Sequence, residues 1–438
     1  MLMTRQNLRL GSPAHGGFCV SRLDNGKVIM VRGGIPGERV AVEITSQRSK
    51  VAYGRVVEVI EASPNRVAHL WTEGEAKDLG GVELGHVSYQ AGLEWKREVV
   101  AQALRRNGSE ALQQDIDAIA PQWRVESVGD DPGRTRATFT VTEDGKLGMF
   151  SNATHILQPV QSMPLMVPAL ADLDLFSLNL GLPAGTRVKF VAPSAAAPVI
   201  YTAGKTLALS GEATTSQVRE TVRTPADSFT YRIDAGSFWQ TDFRAPATLV
   251  KALLEALGSL NGFEVLELYS GSGLFSLFLA KAVGDSGSLT TVEADKIAVK
   301  SAQYNLRKHG FSAQTCVCSV DGKTLGELAL DAPYSKRGSR GGRGNHSLRG
   351  LSFGSSEAAG TVVVADPPRS GLGKDTALAL CALGADAVFL FSCDPVSGAR
   401  DLEVLRRSGY HPARFRVFDL FPYTHHVETI CLMSRVKD

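Results

Sequence analysis

The sequence predicts an α/β protein. A Rossmann-like, doubly wound parallel sheet fills the C-terminal half, preceded by a small α+β region and, first of all, a β-barrel. Three observations predict this. From Phe263 onward, apolar runs alternate with helix-patterned segments, as βαβ units require: EVLELYSGSGLFSLFLAKAV, SLTTVEAD, KIAVKSAQYNLRKHG, TVVVADPP and AVFLFSCDP. Residues 5–60 instead hold four short runs, FCVSRL, KVIMVR, RVAVEIT and YGRVVEVI, divided by turn residues, the spacing of a small barrel. And 438 residues exceed what one core accommodates.

Composition narrows the class. Apolar content of 43% and charged content of 21% describe a globular chain. No apolar run reaches the roughly 18–20 residues that span a bilayer. The opening MLMTRQNLRLGSPAHGG lacks the apolar stretch of a signal peptide. Six scattered cysteines match neither zinc nor disulfide spacing. These features point to a cytoplasmic protein with reduced thiols, no membrane partner and a monomeric state. Net charge is only +2, yet residues 1–66 carry ten Lys/Arg against five Asp/Glu, and residues 333–350 carry five Lys/Arg and no acid. Two basic regions on an otherwise acidic chain suit a polyanion such as nucleic acid, or form solvated basic faces.

In chain order, the stretch HGGFCVSRLDNGKVIMVRGGIPGERVAVEI resembles a TRAM domain, an OB-like barrel, which implies RNA binding by residues 1–62. Residues 63–235 are expected to form the central α+β RNA-recognition domain. Within them Tyr89–Asn107 is patterned as a helix whose Lys96, Arg97, Arg105 and Arg106 line a solvated face or touch phosphates. RATFTVTED, KLGMFS and RVKFVAP read as strands. The catalytic domain is expected over 236–438, ending in a strand hairpin (HPARFRVFDLFP and ETICLMSRV). An Arg/Gly/Ser-rich insertion over about 333–356 has too few apolar residues to fold and is expected to be disordered.

Four motifs sit where such sheets place their chemistry, at the carboxyl ends of strands. Glu267-Leu-Tyr269-Ser-Gly271-Ser-Gly273 lets backbone approach a cofactor, and Glu293, ending the next strand, can take both ribose hydroxyls of a nucleoside. Ser276 replaces the third glycine of the dinucleotide fingerprint, so a pyrophosphate has no special seat and S-adenosylmethionine fits better. Asp321, after QTCVCSV, can reach the adenine amino group. Asp366-Pro367-Pro368-Arg369 holds an acid rigidly at the sheet edge, or is a simple strand-ending turn. Cys393, in Ser392-Cys393-Asp394-Pro395, is a buried thiol or a nucleophile. In Phe421-Pro-Tyr-Thr-His425-His426-Val-Glu428, neighbouring histidines on an extended chain face opposite ways, which argues against metal and leaves Glu428 as general base.

FWQTD, LELYSGSGLFSL, VEAD, DPPRSGL, SCDPVSGARDL and FPYTHHVET occur in the order of the RNA uridine C5 methyltransferase family, which the chain resembles over most of its length. The resemblance implies S-adenosylmethionine-dependent methylation of C5 of a uridine in rRNA or tRNA. Cys393 matches the nucleophile and Glu428 the base. Gln240 and Asp366 match residues holding the uracil edge and the cofactor. Tyr269, Gly271, Gly273 and Glu293 match further cofactor contacts; Leu274 matches one that only its backbone can supply. Phe238 and Arg369, in the same motifs, are expected to contact the substrate. Many relatives carry an iron–sulfur cluster on four cysteines. Here Glu73, Leu79, Val82 and Met163 stand at those positions, so no cluster and no other metal is expected. Two other readings are methylation at another nucleic-acid position, which leaves Cys393 and Glu428 unused, and a non-catalytic RNA-binding protein.

Overall fold

The computed structural model describes residues 5–152, 154–178, 180–330, 353–354 and 358–435. The insertion expected at 333–356 lies, apart from 353–354, outside the described residues. Six strands make the N-terminal barrel: β1 (Arg5–Arg9), β2 (Pro13–Ala14), β3 (Phe18–Arg22), β4 (Val28–Arg32), β5 (Arg39–Gln47) and β6 (Val51–Glu61), in the order β1-β5-β6-β4-β3-β2. Alternating side chains Ile29, Val31, Val40 and Val42 fill it, and Trp95 and Val99 from a following helix close its open side. That helix, α2 (Tyr89–Ala103), follows the short α1 (Thr72–Ala76) and runs into one π-helical turn, Leu104–Gly108.

The expected central span does not pack as one unit. Its α3 (Glu110–Ile119) and β7 (Val125–Ser127) join the C-terminal domain: Leu112, Ile116 and Val125 share a core with Leu266 and Leu390, and β7 pairs in parallel with the last hairpin. A separate six-stranded sheet, ordered β10-β9-β8-β11-β12-β13, holds β8 (Arg136–Val141), β9 (Leu147–Phe150), β10 (Leu157–Pro159), β11 (Arg187–Val191), β12 (Val199–Thr202) and β13 (Lys205–Ala208), with α4 (Pro168–Ala171) beside it. The hairpin of β14 (Gln217–Arg223) and β15 (Ser228–Asp234) again belongs to the C-terminal core, where Val218, Phe229 and Tyr231 meet Phe275 and Phe278. Apolar alternation revealed these strands but not which core each one fills.

The C-terminal domain continues through α5 (Ala245–Leu257), β16 (Glu264–Leu268), α6 (Leu274–Val283), β17 (Ser288–Glu293), α7 (Lys296–Lys308), β18 (Gln314–Val317) and α8 (Gly322–Leu330). It ends with β19 (Thr361–Ala365), α9 (Lys374–Ala382), β20 (Ala387–Ser392), α10 (Pro395–Arg407), β21 (Tyr410–Asp419) and β22 (Glu428–Arg435). The eight-stranded sheet runs β18-β17-β16-β19-β20-β22-β21-β7. Strands β16 to β20 are parallel, and the central β16, β19 and β20 are buried on both faces, hence their mostly apolar runs; β22 inserts antiparallel between β20 and β21. The chain order reverses on either side of β16, so β16 and β19 flank the crevice where such sheets bind ligands.

Two local readings change. Lys96 is not on a solvated face. It is buried, and its ammonium sits 2.5 Å from Asp419 of β21 and donates to the Phe421 carbonyl. Helical periodicity cannot reveal a partner 323 residues away. At the four positions where relatives carry cysteine, Leu79, Val82 and Met163 are buried in one apolar cluster with Trp71. Glu73 accepts from the Gln161 backbone, the Ser162 hydroxyl and Lys77. Packing and hydrogen bonds thus tie residues 71–82 to the strap at 160–163.

Candidate active site

Strand register builds the catalytic centre. In the antiparallel pair β20–β22, Phe391 faces Ile430 and Ser392 faces Thr429. Cys393, one residue past the end of β20, and Glu428, the first residue of β22, flank this last pair. Thr429 also donates to the Ser392 carbonyl. On the other side of β20 the parallel partner β19 pairs Ala365 with Leu390, which brings Asp366 to the same carboxyl edge. Adjacent strands in a sheet lie ~4.8 Å apart, so three chemically active side chains share one edge.

Electrostatics record this proximity. Burial raises the Cys393 thiol, and the charges of Glu428 and Asp366 raise it further, to about 12, against the pull of Arg369. Burial lifts Asp366 to about 7. Burial and the nearby Asp366 charge hold Glu428 well above the carboxylate range, although it faces the Ser392 backbone. Oε1 of Glu428 is buried and has no hydrogen-bond partner among the described residues. A buried acceptor without a partner is costly, and its persistence here suits an atom reserved for a substrate.

Side chains of α10 brace the neighbouring loop. Asp401 accepts from the Leu372 and Gly373 backbones, and the Ser397 hydroxyl donates to the Arg369 carbonyl. Asp401 therefore fixes the Asp366–Gly373 turn, a role that no motif signalled. Arg369 itself is exposed, 3.1 Å from Nε2 of His426. Residues 420–427 form a turn rather than the extended chain expected, so the rings of His425 and His426 lie with centroids only 4.0 Å apart, their planes tilted by 48°. His425 sits 3.5 Å from Glu83.

The second half of the site surrounds β16. Tyr269 (φ 60°), Gly271 (φ 55°) and Gly273 (φ 88°) form a tight left-handed turn into α6. A Cβ on Gly273 would stand 3.1 Å from that of Ala302, so glycine lets α6 start close against α7. Oε2 of Glu293 accepts from the Gly271 backbone and Oε1 from that of Asp295, which aims the carboxylate across the turn. The hydroxyls of Ser270 and Ser272 are buried without partners among the described residues. Space stands open where a Gly271 side chain would project. An open turn rimmed by a fixed carboxylate and unpaired hydroxyls fits a polar nucleoside cofactor. Leu274 is the first helical residue, and its carbonyl accepts from the Tyr231 hydroxyl. Asp321 differs: its exposed carboxylate accepts from the Thr324 backbone and hydroxyl, so one oxygen is engaged at the start of α8. Tyr269 reaches the Val320 carbonyl next to it.

Gln240 and Phe238 lie on a third segment. Phe238 is 71% exposed. Gln240 is half-buried, its carbonyl accepting from Arg136. Beside them opens a cavity of about 350 Å³ lined by Arg134, Lys189, Trp239 and Met163. A narrower cleft lined by Arg134, Thr241, Asp242, Phe421 and Pro422 joins this segment to the loop leading to Glu428. Arg134 belongs to no motif. Burial lowers its pKa, although Glu83 and Asp242 draw it back up, and it lines both openings.

A nucleoside-binding turn and a Cys/Glu/Asp edge on a parallel sheet closed by an antiparallel hairpin define a methyltransferase that uses S-adenosylmethionine. Known proteins agree. The pattern of the tRNA (uracil-5-)-methyltransferase family matches residues 202–436, and that of the TRAM domain residues 4–57. An uncharacterised RNA methyltransferase of Streptomyces avermitilis is 30% identical over 450 aligned positions, covering 98% of this chain and 97% of its own. Another from Bifidobacterium longum is 30% identical over 455, covering 99% and 97%. The crystal structure of the Pyrococcus abyssi tRNA (uracil-54, C5)-methyltransferase in complex with S-adenosyl-L-homocysteine superposes with a TM-score of 0.64 at 19% identity, over 98% of this chain and 99% of that one, which shows the shared fold. The chain belongs to the tRNA (uracil-5-)-methyltransferase family. It is an S-adenosylmethionine-dependent RNA methyltransferase bearing a TRAM domain.

Proposed function

We propose that this enzyme methylates C5 of one uridine in a structured rRNA or tRNA through a transient covalent bond between Cys393 and C6 of the base. The observation that carries this reading is the β20–β22 pairing, which brings a half-buried thiol beside a buried carboxylate whose Oε1 has no partner among the described residues. The domain boundary at 62/63 is part of the same proposal. In it the barrel grips RNA, the separate β8–β13 sheet supplies recognition surfaces, and the C-terminal domain, with residues 110–127 and 217–234 packed into it, performs the chemistry.

Uracil C5 is too weak a nucleophile to take a methyl group directly. The Cys393 thiol loses its proton to solvent through the open side of the site, and its sulfur bonds to C6. The C5=C6 electron pair then moves into an enolate whose nucleophilic carbon is C5. When bound, S-adenosylmethionine supplies the methyl group from its sulfonium. Residues of the Tyr269–Leu274 turn and Glu293 would hold that cofactor, and Asp366 with Gln240 would hold the uracil edge. Glu428 then takes the C5 proton. The C5–H pair re-forms C5=C6, and the sulfur leaves as thiolate. Attack on C6 by a half-buried thiol calls for the target base to leave its stack. Phe238 and Arg134 flank the route.

Replacing Cys393 with Ala tests this. Methyl transfer to RNA from cells lacking the protein should vanish while RNA binding stays within about twofold, since binding rests on phosphate contacts elsewhere. Mass-spectrometric mapping of 5-methyluridine in that RNA would also identify the target. Undiminished transfer by the variant would refute the mechanism.

A further inference from the structure

The turn Pro13–Phe18 of the barrel does not face away from the catalytic centre. It is wedged beside it. The Pro13 carbonyl accepts from Gln102 of α2. Gly17 (φ 76°) packs so tightly that an added Cβ would meet Cβ of Glu83 at 3.3 Å and Cβ of His425 at 3.6 Å. Between these contacts His15 extends across the domain boundary. Its Nε2 lies 3.0 Å from Oδ2 of Asp394, the residue directly after Cys393, and its ring stands edge-on to His425 at 5.7 Å.

Asp394 has two tasks, one for each oxygen. Oδ1 caps α10, accepting from the Val396 and Ser397 backbones at 3.0 and 2.9 Å. Oδ2 receives His15. Burial alone would raise this carboxyl, but the His15 hydrogen bond and the Ser397 backbone bring it down to about 2. The acid is therefore a firm, ionised anchor. Cys393 occupies the single position between the last paired residue of β20 and this anchor. The Ser392–Thr429 pairing fixes the chain on one side of the thiol, and the cap with His15 fixes it on the other.

We infer that His15, a barrel residue, is a positioning residue for the nucleophile: by holding Asp394 it sets the direction in which the Cys393 sulfur points. The barrel is then a structural member of the active site as well as an RNA grip. This rests on Cys393 being the nucleophile. Geometry explains the residue types. A histidine can span the boundary with a directed N–H, and the glycines after it adopt the left-handed conformation needed to fold the turn back under Glu83. Its other ring nitrogen, Nδ1, is buried with no partner among the described residues, so Asp394 is the group that orients the ring.

The test uses the full-length enzyme, bulk RNA from cells lacking it, and labelled S-adenosylmethionine. Four proteins are compared: wild type, His15→Ala, His15→Gln and Cys393→Ala. A misdirected nucleophile slows the chemical step, so His15→Ala should lower kcat about tenfold or more while KM for RNA moves less than about threefold. His15→Gln, whose amide N–H can occupy the place of Nε2, should recover kcat to within about threefold of wild type. Thermal melting checks that each variant is folded. An unchanged kcat in His15→Ala, a rise in KM alone, or a His15→Gln as slow as His15→Ala would each overturn the inference; the second would make His15 an RNA contact. Cys393→Ala separates the two failures. If it is inactive while His15→Ala is normal, only the positioning role falls. If it is active, the nucleophile itself has been misassigned.

Discussion

At the scale of single residues, the site is defined by charges that are uncomfortable where they are. Cys393, Asp366 and Glu428 are each displaced toward their protonated forms by burial; the Asp366 charge adds to this at Glu428, and both carboxylates add to it at Cys393. A protonated thiol is a poor nucleophile, and a protonated Glu428 cannot accept the C5 proton. Both conditions are relieved as pH rises, so kcat/KM should climb from pH 6 to beyond 9 without levelling near 8.5, where an ordinary thiol titrates. Replacing Glu428 with Gln removes one of the charges opposing the thiolate. Alkylation of Cys393 by iodoacetamide at pH 9 should then be faster than in wild type, although turnover is lost. Slower alkylation would show that Glu428 does not face the sulfur. Glu293, Asp366 and Cys393 were legible in the sequence because each stands at the end of a strand beside a turn. The roles of Arg134 and Asp401 were not, since an arginine two residues before an ordinary strand and an aspartate in the middle of a helix carry no local mark.

Secondary-structure elements turn those residues into a site by register and by anchoring. The sheet from Phe263 onward was readable strand by strand, because strands buried on both faces are continuously apolar and their helices keep a separate period. The terminal hairpin was readable too, and its insertion beside β20 is what brings Glu428 to Cys393. Helix α2 was visible as a helix, but its function was not. Lys96 looked like part of a charged face, and only the folded chain shows it bonded to Asp419 and to the carbonyl of Phe421, at the root of the loop leading to Glu428. Removing one member of a buried pair strands the other charge, so Lys96→Met should cost about 3–5 kcal/mol of stability, measured by urea unfolding. A loss below about 1 kcal/mol would mean that the pair contributes no more than a surface contact.

For the whole molecule, the barrel and the catalytic sheet were both visible in the sequence, whereas the division of the middle was not. Residues 110–127 and 217–234 look like parts of an intervening domain, yet they complete the cores and the sheet of the C-terminal one. The sequence pattern marks a strand but does not say which sheet receives it. Around Trp71, residues 71–82 are tied to the central sheet without thiolates, by Leu79, Val82 and Met163 in one apolar cluster and by Glu73 holding the 160–163 strap. The purified protein should therefore be colourless, with iron far below one atom per chain; a stoichiometric brown chromophore would contradict this arrangement. The central claim is that Cys393 bonds to uridine and Glu428 releases it. Incubating Glu428→Gln with substrate RNA and S-adenosylmethionine, digesting the product and sequencing it by mass spectrometry tests that claim most directly. The account predicts a methylated nucleotide covalently attached to Cys393, and none when Cys393 is also replaced by Ala. Free 5-methyluridine released by Glu428→Gln with no adduct at Cys393 would contradict it.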